Sequence, residues 1–180
     1  MAEEPTREWS PARRVEAIAE GPAGQRLFEL LVETPDYSAR VAVEKEQLQV
    51  LAMLVEQLLT GLPAVQVRNP ELDAEPEQPA GVGFPAVPDV SFRVARLSLG
   101  IDQERDLFVL MAYASEEEPE DAPSLGALVT RRQMRNLSQQ ISQLISGGRP
   151  RCPLCQAPLN PGEPHHCAGS NGHVSGSEPE

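Results

Sequence analysis

Two stretches of this chain run through the same order of residues, and that recurrence constrains the fold more than any other feature. In the first, Val15, Ile18 and Gly21 precede Leu27, Phe28 and Leu30; in the second, Val94, Leu97 and Gly100 precede Leu107, Phe108 and Leu110. Each stretch then closes on a helical pattern. With Val43 set against Val129, Gln47 falls on Gln133, Leu48 on Met134, Leu51 on Leu137, Val55 on Ile141, Gln57 on Gln143 and Leu58 on Leu144, with no gap. Amphipathic helices share apolar spacing by default, so the helices alone would carry little weight. The ordered recurrence of strand, glycine turn and helix is what carries an internal duplication.

Each half has the same physical content. Residues 15–19 and 27–33 are short apolar runs around Gly21-Pro22-Ala23-Gly24, as are 92–99 and 107–113 around Gly100-Ile101-Asp102, and these spacings predict hairpins. A third strand follows in each half, at 39–43 and 127–129. Helices then start near Glu44 and Thr130, where the Thr130 hydroxyl can accept an orphan backbone N–H, and Gly147-Gly148 ends the second. Along that helix Met134, Leu137, Ile141, Leu144 and Ile145 recur at helical spacing, while Arg132, Arg135 and Gln139 lie off the stripe. The fold expected is α+β: duplicated β-β-β-α units at 15–60 and 91–150, related by a pseudo-twofold axis, forming one antiparallel sheet with both helices on one face. Residues 61–90 hold Pro63, Pro70, Pro76, Pro79, Pro85 and Pro88 among several acids, as a flexible linker would. The acidic run 116–121 reads as a solvated loop between strands. The tails at 1–14 and 174–180 are expected to be disordered.

Charge narrows the partners. Among 180 residues, 27 are acidic and 15 basic, for a formal net of −12, which opposes non-specific attraction to nucleic acid or an anionic membrane. No apolar h-region follows Met1, so no secretory signal is visible. The longest apolar stretch, 48–67, is broken by Glu56, three glutamines and Pro63, and suits an amphipathic helix and a loop better than a membrane span. A cytoplasmic, reducing location follows, where cysteines serve metals more often than disulfides.

All three cysteines and all three histidines fall between Cys152 and His173. Zn²⁺ in structural sites takes four tetrahedral N and S ligands, and Cys152-Pro153-Leu154-Cys155 has the two-residue gap that wraps one side of the ion. His165 and Cys167 supply the other two, with His166 and His173 as possible substitutes for His165. Residues 151–173 thus form a zinc knuckle. So short a segment cannot bury a core, and metal binding would supply most of its folding free energy, on the order of 10 kcal/mol. A Cys152–Cys155 redox pair fits the spacing but leaves the neighbouring His and Cys unexplained. A catalytic zinc would need an open position and a nearby acid, for which Glu163 is the sole candidate inside the knuckle, so four protein ligands favour a closed, structural site.

Three segments together resemble the bacterial DUF3090 family: Gly21-Pro22-Ala23-Gly24-Gln25-Arg26-Leu27-Phe28, Val41-Ala42-Val43-Glu44-Lys45-Glu46-Gln47, and Gly148-Arg149-Pro150-Arg151-Cys152-Pro153-Leu154-Cys155. The resemblance covers most of 15–172 and is most specific at its end, where Asn171-Gly172 follows the last cysteine. Ala168 stands where the family pattern has proline, which leaves the ligands intact. The resemblance implies a cytoplasmic bacterial setting and no assigned activity. Members tend to be encoded beside histidine-phosphatase-like and kinase-like proteins, which implies an accessory role in a pathway.

The function classes follow from what the residues permit. Outside 152–173 there is no histidine and no cysteine, so the main domain has no Ser-His-Asp or Cys-His nucleophile system. Gly81-Val82-Gly83 lacks the third glycine and helix start of a dinucleotide fingerprint. The leading expectation is a non-catalytic module that binds another protein, with the sheet as scaffold and the knuckle as a rigid contact. An alternative is nucleic-acid binding, because 131–151 carries Arg131, Arg132, Arg135, Arg149 and Arg151 and no acid. A third is a carboxylate-based hydrolase of a phosphorylated metabolite, for which no acid pair stands out.

Overall fold

The computed structural model describes residues 9–22, 24–63 and 80–146, together with Cys152 and Cys155. The first run of elements is β1 (Arg14–Glu20), β2 (Leu27–Glu33), β3 (Ser38–Val43) and α1 (Lys45–Gly61). The second is β4 (Val90–Arg93), β5 (Arg96–Asp102), β6 (Leu107–Tyr113), β7 (Leu125–Val129) and α2 (Arg131–Ser146). The chain is α+β, with the expected hairpins and helices in place. At the first hairpin the backbone turns through Gly21 at φ 97°, where a Cβ would stand 2.8 Å from the Gln25 carbonyl oxygen.

The single antiparallel sheet does not form. The strands divide into two sheets, ordered β1-β2-β3-β4 and β5-β6-β7, and β4 runs parallel to β3. The apolar run 92–99, which patterning makes one strand, breaks at Val94-Ala95 because consecutive residues bond to different sheets. Val94 N–H donates to the Ala42 carbonyl at 2.8 Å, and Ala95 N–H donates to Tyr113 at 2.8 Å. A second crossing lies at the N-terminus. Leu128 N–H donates to Ser10 and Ala12 N–H to Leu128, which adds a parallel bridge at Pro11 to β7, while Arg13 N–H donates to Glu33 in the other sheet. Each sheet therefore takes an outer segment from the chain that leads into the other.

The inner faces and the helices share one core. Leu30, Val32, Val41, Phe108, Leu110 and Val129 meet Leu48, Leu51 and Val55 of α1 and Met134, Leu137 and Ile141 of α2, all nearly or wholly buried. The helices pack on each other, and each crosses to the first hairpin strand of the other run, α2 to β1 and α1 to β5. They start alike. Glu44 N–H donates to Gln47 Oε1 at 2.9 Å and Thr130 N–H to Gln133 Oε1 at 2.9 Å, two capping boxes that satisfy orphan backbone donors. Each glutamine then uses its amide to reach a crossing point: Gln47 to the carbonyls of Val94 and Ala95, Gln133 to that of Ala12.

The outer face of the first sheet is charged and partly covered. Glu16, 2% exposed, accepts from Arg14 at 2.7 Å and from the Gly81 N–H at 2.8 Å. Phe84 is buried beside Arg40, whose guanidinium lies 5.8 Å from the ring centroid. The last ten residues of the proline-rich stretch, 80–89, thus lie against this face before β4 begins.

Candidate functional site

Two concavities are built by the described residues. The first lies between α1 and β5, holds about 300 Å³, and has Val50, Leu51 and Leu54 facing Leu97 and Leu99, with Glu46, Gln47 and Arg96 at its polar margin. The sequence puts Val50 and Met53 outside the helix stripe, and both are exposed, at 64% and 66%. β5 is the edge strand of its sheet. At the edge of the other sheet, the Ala17 N–H of β1 donates to Gln140 Oε1 of α2 at 3.2 Å. Leu54 fills in α1 the position that Gln140 fills in α2 when Val43 is set on Val129, and a leucine side chain offers no such acceptor.

The second concavity holds about 290 Å³ where the N-terminal segment meets the starts of β3, β4 and β7. Its walls are Trp9, Tyr37, Val90, Pro123 and Leu125, with Ser10 and Ser124 among them. Gly126 forms part of the floor because only glycine fits beneath the indole: a Cβ there would meet ring atoms of Trp9 at 2.4 Å. The Tyr37 hydroxyl donates to the Gly126 carbonyl at 2.6 Å. Burial, and then the charge of Asp36, push the Tyr37 phenol up to about 12. No sequence pattern pointed to this cavity, since its walls come from four separate segments.

The sequence-derived zinc ligands are only half in view. Cys152 is buried, 5% exposed, and Cys155 is partly buried. Two thiols at this spacing are the donor chemistry for one side of a tetrahedral zinc site. His165 and Cys167, and the alternatives His166 and His173, lie outside the described residues, as does the Gly147-Gly148 helix stop.

The basic helix start is less available than its sequence suggests. Arg131 is 8% exposed, with its Nε 2.9 Å from Asp106 Oδ1, a second nitrogen on the same oxygen, and a third donating to the Pro63 carbonyl at 2.6 Å. Arg132 is half-buried and Arg135 exposed; Arg149 and Arg151 lie outside the described residues. The acidic run is a loop, and its backbone is tied down: Glu118 accepts from Arg96 at 3.0 Å and Glu120 from the Tyr113 hydroxyl at 2.7 Å. Among the described residues no helix is long and apolar enough to cross a membrane.

No curated protein and no solved structure matches the chain. A family model, described as protein of unknown function (DUF3090), matches residues 8–167. That span takes in all seven strands, both helices and the two described cysteines, and the chain belongs to the DUF3090 family.

Proposed function

We propose that this chain is a non-catalytic binding protein that engages another protein through the groove between α1 and β5. The observation that carries the reading is a strand edge, unpaired among the described residues, beside exposed apolar side chains. An edge strand presents unpaired backbone donors and acceptors, and an extended segment of a partner can pair with it while its side chains fill the apolar floor. Val50 lines that floor, and Met53 adds a second exposed apolar side chain on the same helix. The test is affinity purification of the full-length chain beside a Val50→Glu, Met53→Glu variant, both nuclease-treated. A stoichiometric partner held by the first and lost from the second, with the variant's circular dichroism unchanged, supports the groove. Equal recovery by both refutes it. Nucleic-acid binding draws less support, because Arg131 is committed to Asp106 and Pro63.

Structural zinc belongs to the same reading, held by Cys152, Cys155, His165 and Cys167 as a knuckle that braces the C-terminal segment. The burial of Cys152, three residues before Cys155, supports it. Purified protein should hold one zinc per chain, and a Cys152→Ser, Cys155→Ser variant none; metal-free wild type would overturn this.

The scaffold itself is best explained as a duplicated unit. The hairpin registers support this, since Glu20 pairs with Leu27 where Asp102 pairs with Leu107, and so do the matched capping boxes of Gln47 and Gln133. These registers set Val15 on Leu97, not on Val94. The first strand is displaced by three residues from the match suggested by the glycines: two come from the shorter turn of the second hairpin, and one separates the glycine match from that of Leu27 with Leu107.

A further inference from the structure

Strand β5 carries a self-complementary pattern of charge. Its seven residues, Arg96-Leu97-Ser98-Leu99-Gly100-Ile101-Asp102, begin on a cation and end on an anion, with neither charge nor proline between them. Edge strands of natural sheets are usually protected by a lysine, a proline, a bulge or a covering element, because an unpaired edge recruits other strands. At the edge of the other sheet the Ala17 N–H of β1 is taken by Gln140 of α2. Beside β5 the matching position of α1 is Leu54, and among the described residues no second strand pairs with this edge. Leu97, Leu99 and Ile101 pack against the core, so Arg96, Ser98, Gly100 and Asp102 share the opposite face. Neither end charge is tightly matched within its own sheet. The Arg96 guanidinium stacks 3.8 Å from the Tyr113 ring centroid and donates to the Glu118 backbone carbonyl, neither of which neutralises it. Asp102 Oδ1 accepts from the N–H groups of Glu104 and Arg105, while Oδ2 lies 3.8 Å from the exposed Arg105 side chain, near the outer limit of an ion pair.

Given the groove reading, on which this rests, we infer that the occupant is a second copy of this chain, with β5 pairing antiparallel to β5 about a twofold axis at Leu99. Centring the pair on Leu99 is the one register that matches all seven residues of both strands. Leu97 then falls opposite Ile101 of the second copy, Ser98 opposite Gly100, and Arg96 opposite Asp102 at both ends. Directly opposed residues on antiparallel strands have Cβ atoms about 5 Å apart, within reach of an ion pair. A slip of one residue would set the core face of one copy level with the outer face of the other. The product is a continuous sheet of three strands from each copy, with both α1 helices on one face of it. Val50 and Met53, 64% and 66% exposed in the single chain, are covered there by the facing helix.

Sedimentation equilibrium of the full-length chain, in reducing buffer to keep out cystine cross-links, should return a dimer that dissociates on dilution. Arg96→Asp alone and Asp102→Arg alone each set like charges opposite one another at both ends, and each should weaken association by about tenfold or more. The double variant Arg96→Asp, Asp102→Arg restores the match and should recover the dimer. Circular dichroism separates a lost dimer from a lost fold, and the Val50→Glu, Met53→Glu variant, changed only at exposed positions, should also weaken the dimer. A monomer at every concentration up to about 100 μM would overturn the inference. The purification test then decides the groove reading separately: a partner of different sequence, lost from the Val50→Glu, Met53→Glu variant, sustains the groove without the dimer, whereas equal recovery sinks both. A dimer indifferent to the single charge swaps, or one lost in both folded single variants and not recovered in the double, would equally overturn the inference.

Discussion

Arg131 and Asp106 share one buried contact, with side chains only 9% and 15% exposed. Asp106 sits at the β5–β6 turn in the left-handed region at φ 56°, and the guanidinium holds it there from the first residue of α2. Replacing Arg131 with methionine keeps the packing and removes the guanidinium from Asp106 and from the Pro63 carbonyl, which costs about 3 kcal/mol for a buried pair broken on one side. Urea unfolding should show a lower midpoint at unchanged slope. Tyr37 makes a different prediction. Its phenol stays protonated up to about pH 12 in the folded chain, against about 10 unfolded. Above pH 10 the unfolded state therefore loses this proton first, and stability should fall between pH 10 and 12 and be unaffected by this group below pH 10. The difference in unfolding free energy between wild type and Tyr37→Phe, followed from pH 8 to 12, should shrink over that window.

Both helices carry in their first turn a glutamine that does two jobs, closing a capping box and tying down a sheet crossing. Gln133 is 9% exposed and bonds Thr130 and Ala12, while Gln47 is half-buried and bonds Glu44, Val94 and Ala95. Gln133→Ala strands the Thr130 N–H and the Ala12 carbonyl inside the protein and should cost about 2 kcal/mol. Gln47→Ala, nearer solvent, should cost about 1 kcal/mol. Thermal melts of the two variants would rank them, and the reverse order would argue against this account of the caps. The element scale is also where patterning served best. The stripe of Met134, Leu137 and Ile141 is wholly buried as its spacing requires, and the Thr130 hydroxyl accepts from Gln133 N–H at 3.1 Å.

The two crossings, at 12–13 and 94–95, interlock the sheets, so the N-terminal segment is part of the fold. Ala12 is fully buried, and Ser10 and Ala12 bracket Leu128 with hydrogen bonds of 3.0 and 2.7 Å. A chain lacking residues 1–12 loses those bonds, the Trp9 contact on Gly126 and a core residue. Its melting temperature should fall by about 5 °C or more, the shift that about 2 kcal/mol gives in a chain of this size. Sequence reading assigned 1–14 to a tail because a three-residue parallel pairing has no periodicity to detect. The α+β class, the two hairpins, the strand and helix that close each run and the apolar faces were legible, because each rests on spacing within about twenty residues. The division into two sheets, the parallel pairing of β3 with β4, the burial of Arg131 and the Trp9–Tyr37 cavity were not. They depend on which backbone groups and side chains from distant segments compete for one another, and only the folded chain decides that.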